Sequence, residues 1–207
     1  MTYYPVFLNL NSKKCLLIGG GRVAQRKAIK LIDAGAHLTI VSPELTDGLR
    51  CLKDEGRFIH KERVFMKEDL DGVFLVIAAT SDSSVNKAIA YAYNGLINVV
   101  DSPDECSFIV PSTVIRGDLT IAISTSGASP VLASTIRQEL EGLYGDVFAG
   151  YISFLRLFRQ RILEDNGIAP ELKEALIKEV ASRESLDLVR SGSLEELKSR
   201  LLDRLRR

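Results

Sequence analysis

The feature that most constrains this chain is a buried-strand pattern that runs directly into three consecutive glycines and then into a helical pattern. Residues 15–18 form an apolar run, Cys-Leu-Leu-Ile, and Gly19, Gly20 and Gly21 follow at once. Together with Ala24 they give the spacing Gly-x-Gly-x-x-Ala, the fingerprint of a dinucleotide-binding strand, turn and helix. The sequence therefore predicts a nucleotide cradle at this first strand-to-helix turn.

Each small residue of this fingerprint has its own physical role. Gly19 allows a sharp turn off the strand, and Gly21, which has no Cβ, lets the backbone approach a pyrophosphate. Ala24 lets the helix pack closely against the strand. The N–H groups at the helix start, near Arg22 and Val23, then face the anion. The motif alone leaves one alternative open, a tight strand–helix turn in another kind of α/β protein.

Beyond this unit, strand and helix patterns alternate, which predicts a parallel sheet wound by right-handed crossovers. The strands are expected at residues 15–18, 37–41, 57–63, 73–79 and 97–101. Shorter strand patterns follow at 107–111, 113–116 and 119–124, and then helices at 131–143, at 146–164, from 170 and from a capping box at Ser193. We expect a Rossmann-like NAD-binding domain over residues 1–112, a small α+β dimerisation domain over 113–145 and a helical domain over 146–207.

Charge and composition exclude several classes of protein. Lys plus Arg and Asp plus Glu both number 27, so the formal net charge is zero, which argues against a nucleic-acid binder. The three cysteines form no Cys-x-x-Cys pair, which is typical of a reducing cytoplasm. The N-terminal residues do not resemble a signal peptide, and no apolar run is long enough to cross a bilayer. We therefore expect a cytoplasmic enzyme without membrane contact.

The end of the second strand bears on the choice of cofactor. Dinucleotide folds usually place an acid there to bind the adenosine ribose, but here the chain reads Val41, Ser42, Pro43, Glu44. Ser42 or the backbone at Pro43 and Glu44 could hold the ribose instead. Since no Arg follows directly to bind a 2′-phosphate, the sequence favours NAD over NADP. At the end of the fourth strand, Thr80 is expected near the same cofactor.

Six stretches of the chain, in this order, resemble the precorrin-2 dehydrogenase family, which also forms the N-terminal module of siroheme synthase. They are residues 16–27 (Leu-Leu-Ile-Gly-Gly-Gly-Arg-Val-Ala-Gln-Arg-Lys), 41–44, 77–82 (Ile-Ala-Ala-Thr-Ser-Asp), 98–101 (Asn-Val-Val-Asp), 107–112 and 124–133. The resemblance covers about residues 4 to 142, and the rest fits the family's helical domain by pattern and length. It implies a homodimer that oxidises precorrin-2 to sirohydrochlorin with NAD⁺.

The resemblance also implies a catalytic carboxylate at Asp101. The residues agree on its location, because Asp101 follows a predicted parallel strand, and ligands of such sheets bind at the strands' carboxyl ends. A free aspartate is ionised at neutral pH and can accept a proton. The alternative is that Asp101 only caps the turn before Pro103.

A polycarboxylate substrate needs cations or N–H groups, and the sequence offers both after residue 112. Candidates for binding it are Arg116, Ser124, Thr125, Ser126, Gly127 and Arg137. The hydroxyl-rich run precedes a helix N-terminus, where anions are favoured, although it also fits a loop and helix cap. In some relatives a serine of this loop is phosphorylated, and Thr125 takes that place here.

Two further questions stay open, and one class of enzyme is excluded. Some family members also insert ferrous iron, but His37 and His60 lie in no ligand-spaced cluster, so we expect no dedicated metal site; His37 fits the sheet and His60 an exposed position. The alternative to an enzyme is an NAD-binding regulatory dimer without tetrapyrrole affinity. A short-chain alcohol dehydrogenase is excluded, because none of Tyr91, Tyr93, Tyr144 and Tyr151 is followed four positions later by Lys.

Overall fold

A computed structural model describes residues 3–205, and the chain divides after Val110 into two compact units. The first unit contains five strands and three α-helices: β1 (Lys14–Ile18), α1 (Arg22–Asp33), β2 (His37–Val41), α2 (Asp47–Asp54), β3 (Ile59–Lys61), β4 (Leu75–Ala78), α3 (Ser83–Ala92) and β5 (Leu96–Val99). Two 3₁₀ turns, Lys67–Leu70 and Pro103–Glu105, join them.

The five strands are all parallel and run in the order β3-β2-β1-β4-β5. This is the doubly wound arrangement, in which the strand order reverses between β1 and β4. Ile18 pairs with Val41 on one side and with Ala78 on the other, so the carboxyl ends of the three central strands are level. The predicted α/β class with a Rossmann-like sheet is confirmed.

The core of this unit lies on both faces of the sheet. Leu17 and Ile40 pack on the face that α1 covers, and Ala24 and Ala28 of that helix are fully buried there. Their methyl side chains let the helix axis approach the sheet closely. Alternate residues of the same strands, such as Val76, pack on the opposite face. Burial of Cys15 to Ile18 in β1 and of every residue of β4 is the pattern expected of strands covered on both faces.

The second unit consists of a β-hairpin and a set of helices. Its elements are β6 (Ser112–Arg116), β7 (Leu119–Ile123), α4 (Pro130–Leu143), α5 (Val147–Glu164), α6 (Pro170–Val180), α7 (Arg183–Arg190) and α8 (Leu194–Arg204). Arg116 pairs with Leu119, so Gly117 and Asp118 form the two-residue turn, and Gly117 has a φ of +57° as such turns require. Phe148, Tyr151, Leu197 and other residues of α5 to α8 form one apolar core.

Three sequence-based expectations for local structure are wrong. Residues 107–111 form no strand, because Ser107 meets the edge of β5 mainly through side-chain bonds rather than through a ladder. Helix α7 was not expected, since it has only eight residues. Ser193 precedes α8 but makes no side-chain cap. The division of the chain after residue 110 into a dimerisation domain and a helical domain stays a prediction. Within residues 3–205, no helix combines the length and the apolar character needed to span a membrane.

Candidate functional site

A cleft of about 790 Å³ opens in the first unit at the carboxyl ends of its strands. Ligand-binding clefts commonly have this size and occur at this edge of α/β sheets. The sequence-predicted residues that line it are Gly19, Gly20, Gly21, Arg22, Val23, Ser42, Pro43, Glu44, Thr80 and Asp101. Ala24, the remaining cofactor candidate, lies instead in the core beneath the cleft. The fold thus gathers residues from four separate stretches of the sequence around one cavity.

The three glycines at the end of β1 meet three different environments. Gly19 has a φ of +117°, and a Cβ on it would lie 2.3 Å from the Ala79 carbonyl oxygen. A Cβ on Gly20 would lie 1.9 Å from the Glu44 carbonyl oxygen, whereas a Cβ on Gly21 would have no atom within 4 Å. Gly19 and Gly20 therefore cannot carry a side chain, because neighbouring backbone lies too close, whereas Gly21 faces open space in the cleft.

Helix α1 begins at this open position. Gly21 is its N-cap residue, with φ −81° and ψ −174°, and no side chain caps the helix. The N–H groups of its first turn lack partners within the helix, and the helix dipole adds partial positive charge. This geometry fits the pyrophosphate of a dinucleotide, which the glycine backbone would approach from the open side.

The segment after β2 is held rigidly against the glycine turn. Ser42 is buried, and its Oγ donates to the Glu44 carbonyl oxygen at 2.7 Å. The N–H of Thr46 donates to the Gly20 carbonyl at 3.0 Å. The Ser42 hydroxyl proton is thus already used within the loop, while Pro43 and Glu44 are exposed along the cleft wall. Of the three candidates, Glu44 presents the carboxylate available to a ribose.

The cations at the end of β3 and just after it, Lys61 and Arg63, are already engaged. Asp69 has a side chain only 2% exposed, and it accepts from Arg63 at 2.7 Å and from Lys61 at 2.8 Å. The Arg63 guanidinium and the Lys61 ammonium together hold the pKa of this carboxyl well below its usual range. The two cations are thus held by Asp69, and neither of them lines the cleft.

Thr80 is fixed by a residue that sequence reasoning missed. Asn86 of α3 is buried, and its Oδ1 accepts from the Thr80 N–H at 3.1 Å and from the Thr80 hydroxyl at 2.7 Å. Its Nδ2 donates to the Thr80 carbonyl at 3.1 Å. The signal in the sequence was an amide side chain four residues after Asp82, the N-cap residue of α3, on the helix face that turns towards the sheet.

Asp101 lies on a turn rather than on the strand itself, so the strand expected over 97–101 is two residues too long at its carboxyl end. β5 ends at Val99, and Asp101 follows with a φ of +59°, exposed and lining the cleft. Its carboxylate is therefore open to solvent and to a ligand.

The substrate candidates of the second unit already have partners. Arg116 Nε lies 3.2 Å from Asp146 Oδ1, and Arg137 bonds to Glu141 on the next turn of α4 at 2.5 Å. The Thr125 hydroxyl donates to the Ser129 carbonyl at 3.0 Å and accepts from the Ser129 N–H at 3.1 Å.

These bonds fix the loop between β7 and α4. Ser126 has a left-handed φ of +52°, and Gly127 follows with a φ of +87°. Ser124 Oγ accepts from the Ser126 N–H at 3.0 Å. The loop is thus preformed. Ser124 and Ser126 are exposed on it, and the Thr125 hydroxyl is bonded within it.

Metal-ligating side chains stay apart in this structure. Within residues 3–205, no group of three His, Cys, Asp or Glu side chains could hold a metal ion. His37 is exposed at the start of β2. His60 is half-buried rather than exposed as expected, because its Nε2 lies 2.9 Å from the Ser42 carbonyl oxygen.

Comparison with known proteins agrees with this geometry. Residues 6–112 match a family model described as putative NAD(P)-binding, and residues 116–143 match one described as sirohaem biosynthesis protein central. The chain is 44% identical over 165 residues to a siroheme synthase of Methylobacillus flagellatus, covering 78% of this chain and 35% of that protein.

Two further comparisons cover nearly the whole chain. A siroheme synthase of Photobacterium profundum is 34% identical over 206 residues, covering 98% of this chain and 44% of that protein. The chain thus spans less than half the length of either of these curated relatives. A solved structure titled SirC, precorrin-2 dehydrogenase superposes with a TM-score of 0.79 at 29% identity, covering 95% of this chain and 100% of that one.

Proposed function

Since this chain belongs to the family of NAD(P)-binding sirohaem biosynthesis proteins, we propose that it is an NAD-dependent oxidoreductase, a precorrin-2 dehydrogenase that forms sirohydrochlorin. The observation that carries the proposal is the cleft of the first unit. One cavity joins an anion-binding glycine turn to the exposed carboxylate of Asp101. A nucleotide and a reacting base can therefore meet in the same space.

The oxidation removes a hydride and a proton from the substrate. NAD, when bound, supplies the acceptor for the hydride. The chain supplies the rest: Gly21 and the first N–H groups of α1 would hold the pyrophosphate, and Glu44 would hold the ribose. Asp101 accepts the proton at its carboxylate, a role that contributes about 10²–10⁴-fold in typical enzymes.

We also propose that the second unit binds the carboxylates of the substrate. Arg116 and Arg137 provide cations, and residues 124–127 provide N–H and hydroxyl groups before α4. The Arg116–Asp146 pair supports this role, because the Asp146 side chain is fully exposed and such a pair contributes at most about 1 kcal/mol. A substrate carboxylate can replace Asp146 at little cost.

We also propose that the protein acts as a homodimer in the cytoplasm. Exposed apolar side chains on β6 and α4 support the dimer, among them Ile115 at 58%, Val131 at 76% and Leu132 at 50%. A second copy of the chain that covers these side chains would remove apolar surface from water, which favours association. Three free cysteines support a reducing compartment.

The test supplies precorrin-2 and NAD⁺ to the purified protein and follows the absorbance spectrum. Asp101→Asn is the cleaner variant, because Asn tolerates the left-handed backbone that Ala does not. We expect turnover to fall about 10²–10⁴-fold while NAD binding, measured by calorimetry, stays unchanged.

Asp104→Ala is the matched control, since Asp104 is an exposed aspartate three residues further along the same segment. Normal turnover by Asp101→Asn would remove the base from the proposal. NAD binding without any oxidation by the unaltered protein would favour the regulatory dimer. A final addition of Fe²⁺ shows whether siroheme forms faster than in the enzyme-free control.

A further inference from the structure

The outer edge of β5 is closed by side chains. The Ile97 N–H donates to Ser107 Oγ at 2.8 Å, and the Ile97 carbonyl accepts from the Ser107 N–H at 2.9 Å. The Val99 N–H donates to Cys106 Sγ at 3.1 Å, and the thiol lies 3.3 Å from the Val99 carbonyl oxygen. Asn98 Nδ2 reaches the same sulfur at 3.5 Å. The thiol thus takes the place that the backbone of a neighbouring strand would occupy.

The same thiol also contacts both ends of the turn that carries Asp101. The Ser102 N–H donates to the Val99 carbonyl at 3.4 Å, and Cys106 Sγ lies 3.4 Å from the Ser102 carbonyl oxygen. Cys106 therefore contacts both the first and the last residue of the turn. The left-handed backbone of Asp101 between them is strained and persists only where surrounding contacts impose it.

We propose that Cys106 is a positioning residue for the oxidation, because its thiol holds the turn that presents the Asp101 carboxylate to the cleft. The inference rests on the proposed function, in which Asp101 accepts the proton. Without the thiol, the Val99 N–H loses its partner and the turn can leave the left-handed conformation. Misplacement of a catalytic group by about 1 Å can lower the rate roughly 10²-fold. We therefore expect removal of the Cys106 thiol to lower turnover. Nucleotide binding, which uses the glycine turn after β1, is unaffected.

The experiment combines kinetics with amide hydrogen exchange in the full chain. Cys106→Ala removes the thiol, and Cys106→Ser keeps a group that both donates and accepts. Each is made alone and together with Asp101→Asn, to form a double-mutant cycle. Cys51→Ala is the matched control, because Cys51 is an exposed cysteine of α2.

We expect Cys106→Ala to lower kcat by about 10- to 100-fold with the KM for NAD unchanged. Its Val99 amide exchanges faster than in the unaltered protein, and Cys106→Ser recovers most of both losses. In the Asp101→Asn background, Cys106→Ala lowers the residual rate by less than about twofold, because the group it positions is already gone. Cys51→Ala changes none of these quantities.

Two results would overturn the inference. One is a Cys106→Ala enzyme whose Val99 amide exchanges faster while its kcat stays normal, since the thiol would then support the strand edge alone. The other is an equal loss on top of Asp101→Asn, which would mean that Cys106 acts by another route. Failure of the proposed function is visible separately, because the unaltered protein would then bind NAD without oxidising precorrin-2. Full activity of Asp101→Asn would remove only the role of Asp101 as the base.

Discussion

The three glycines after β1 allow one prediction that separates folding from nucleotide binding. Gly19→Ala places a methyl group 2.3 Å from the Ala79 carbonyl oxygen on a backbone with φ +117°. The backbone strain costs about 1–2 kcal/mol, and the forced displacement of neighbouring backbone about 1–3 kcal/mol. We therefore expect the free energy of unfolding to fall by about 2–5 kcal/mol.

Gly21→Ala has the opposite profile. Its φ of −81° and ψ of −174° suit alanine, and a methyl group there meets no protein atom within 4 Å. The free energy of unfolding should change by less than about 1 kcal/mol. The methyl group instead occupies the space through which a pyrophosphate approaches the backbone. We expect the Kd for NADH to rise at least about tenfold, which corresponds to about 1.4 kcal/mol.

The two quantities are measured independently on each variant. Urea unfolding followed by circular dichroism gives stability, and isothermal titration calorimetry gives NADH affinity. Gly20→Ala is the internal comparison: its methyl group would lie 1.9 Å from the Glu44 carbonyl oxygen, so it should lose stability as Gly19→Ala does. If Gly21→Ala bound NADH normally, the assignment of this turn as the pyrophosphate cradle would be wrong. If it unfolded as readily as Gly19→Ala, the inference of open space at Gly21 would be wrong.

Two predictions concern other parts of the molecule. Asp69→Asn should lower the free energy of unfolding by about 2 kcal/mol at neutral pH, because Arg63 and Lys61 lose a carboxylate partner. Those bonds depress the pKa of Asp69 in the folded protein. The difference in stability from the unaltered protein is therefore complete above about pH 4 and shrinks as the pH falls further. Denaturant titrations at pH 7 and pH 3 check this, and an undiminished difference at pH 3 would contradict it. Ile115→Glu should convert the proposed homodimer to a monomer in sedimentation experiments. Leu157→Glu, at a somewhat more exposed apolar position on α5, should leave it a dimer, and dimers from both variants would place the interface elsewhere.

The sequence was most informative where local chemistry alone determines structure. The turn after β1 needs Gly19 because of its backbone conformation, and that requirement is visible in the spacing to Ala24. The cap at Asp82 and the hairpin turn at Gly117 are likewise set by residues adjacent in the sequence.

Contacts between distant segments were not predictable in the same way. Gly20 is required because the loop after β2 packs against it, which no spacing near residue 20 reveals. In the sequence, Asn86 is only a polar residue within a predicted helix, and its hydrogen bond to Thr80 becomes apparent only in the folded structure. Residues 107–111 have the apolar composition of a strand, yet Ser107 and Cys106 bond to β5 through their side chains. The roles of Asp101 and of the second unit's arginines stay predictions, since they depend on bound ligands.

The closed edge of β5 has a consequence for the behaviour of the protein at high concentration. Open sheet edges recruit strands from other molecules and start aggregation. On this edge the N–H and carbonyl groups of Ile97 and Val99 are already engaged by Cys106 and Ser107, and the opposite edge strand, β3, is only three residues long. Neither border offers a long template for intermolecular pairing, so the sheet is protected against growing into fibrils.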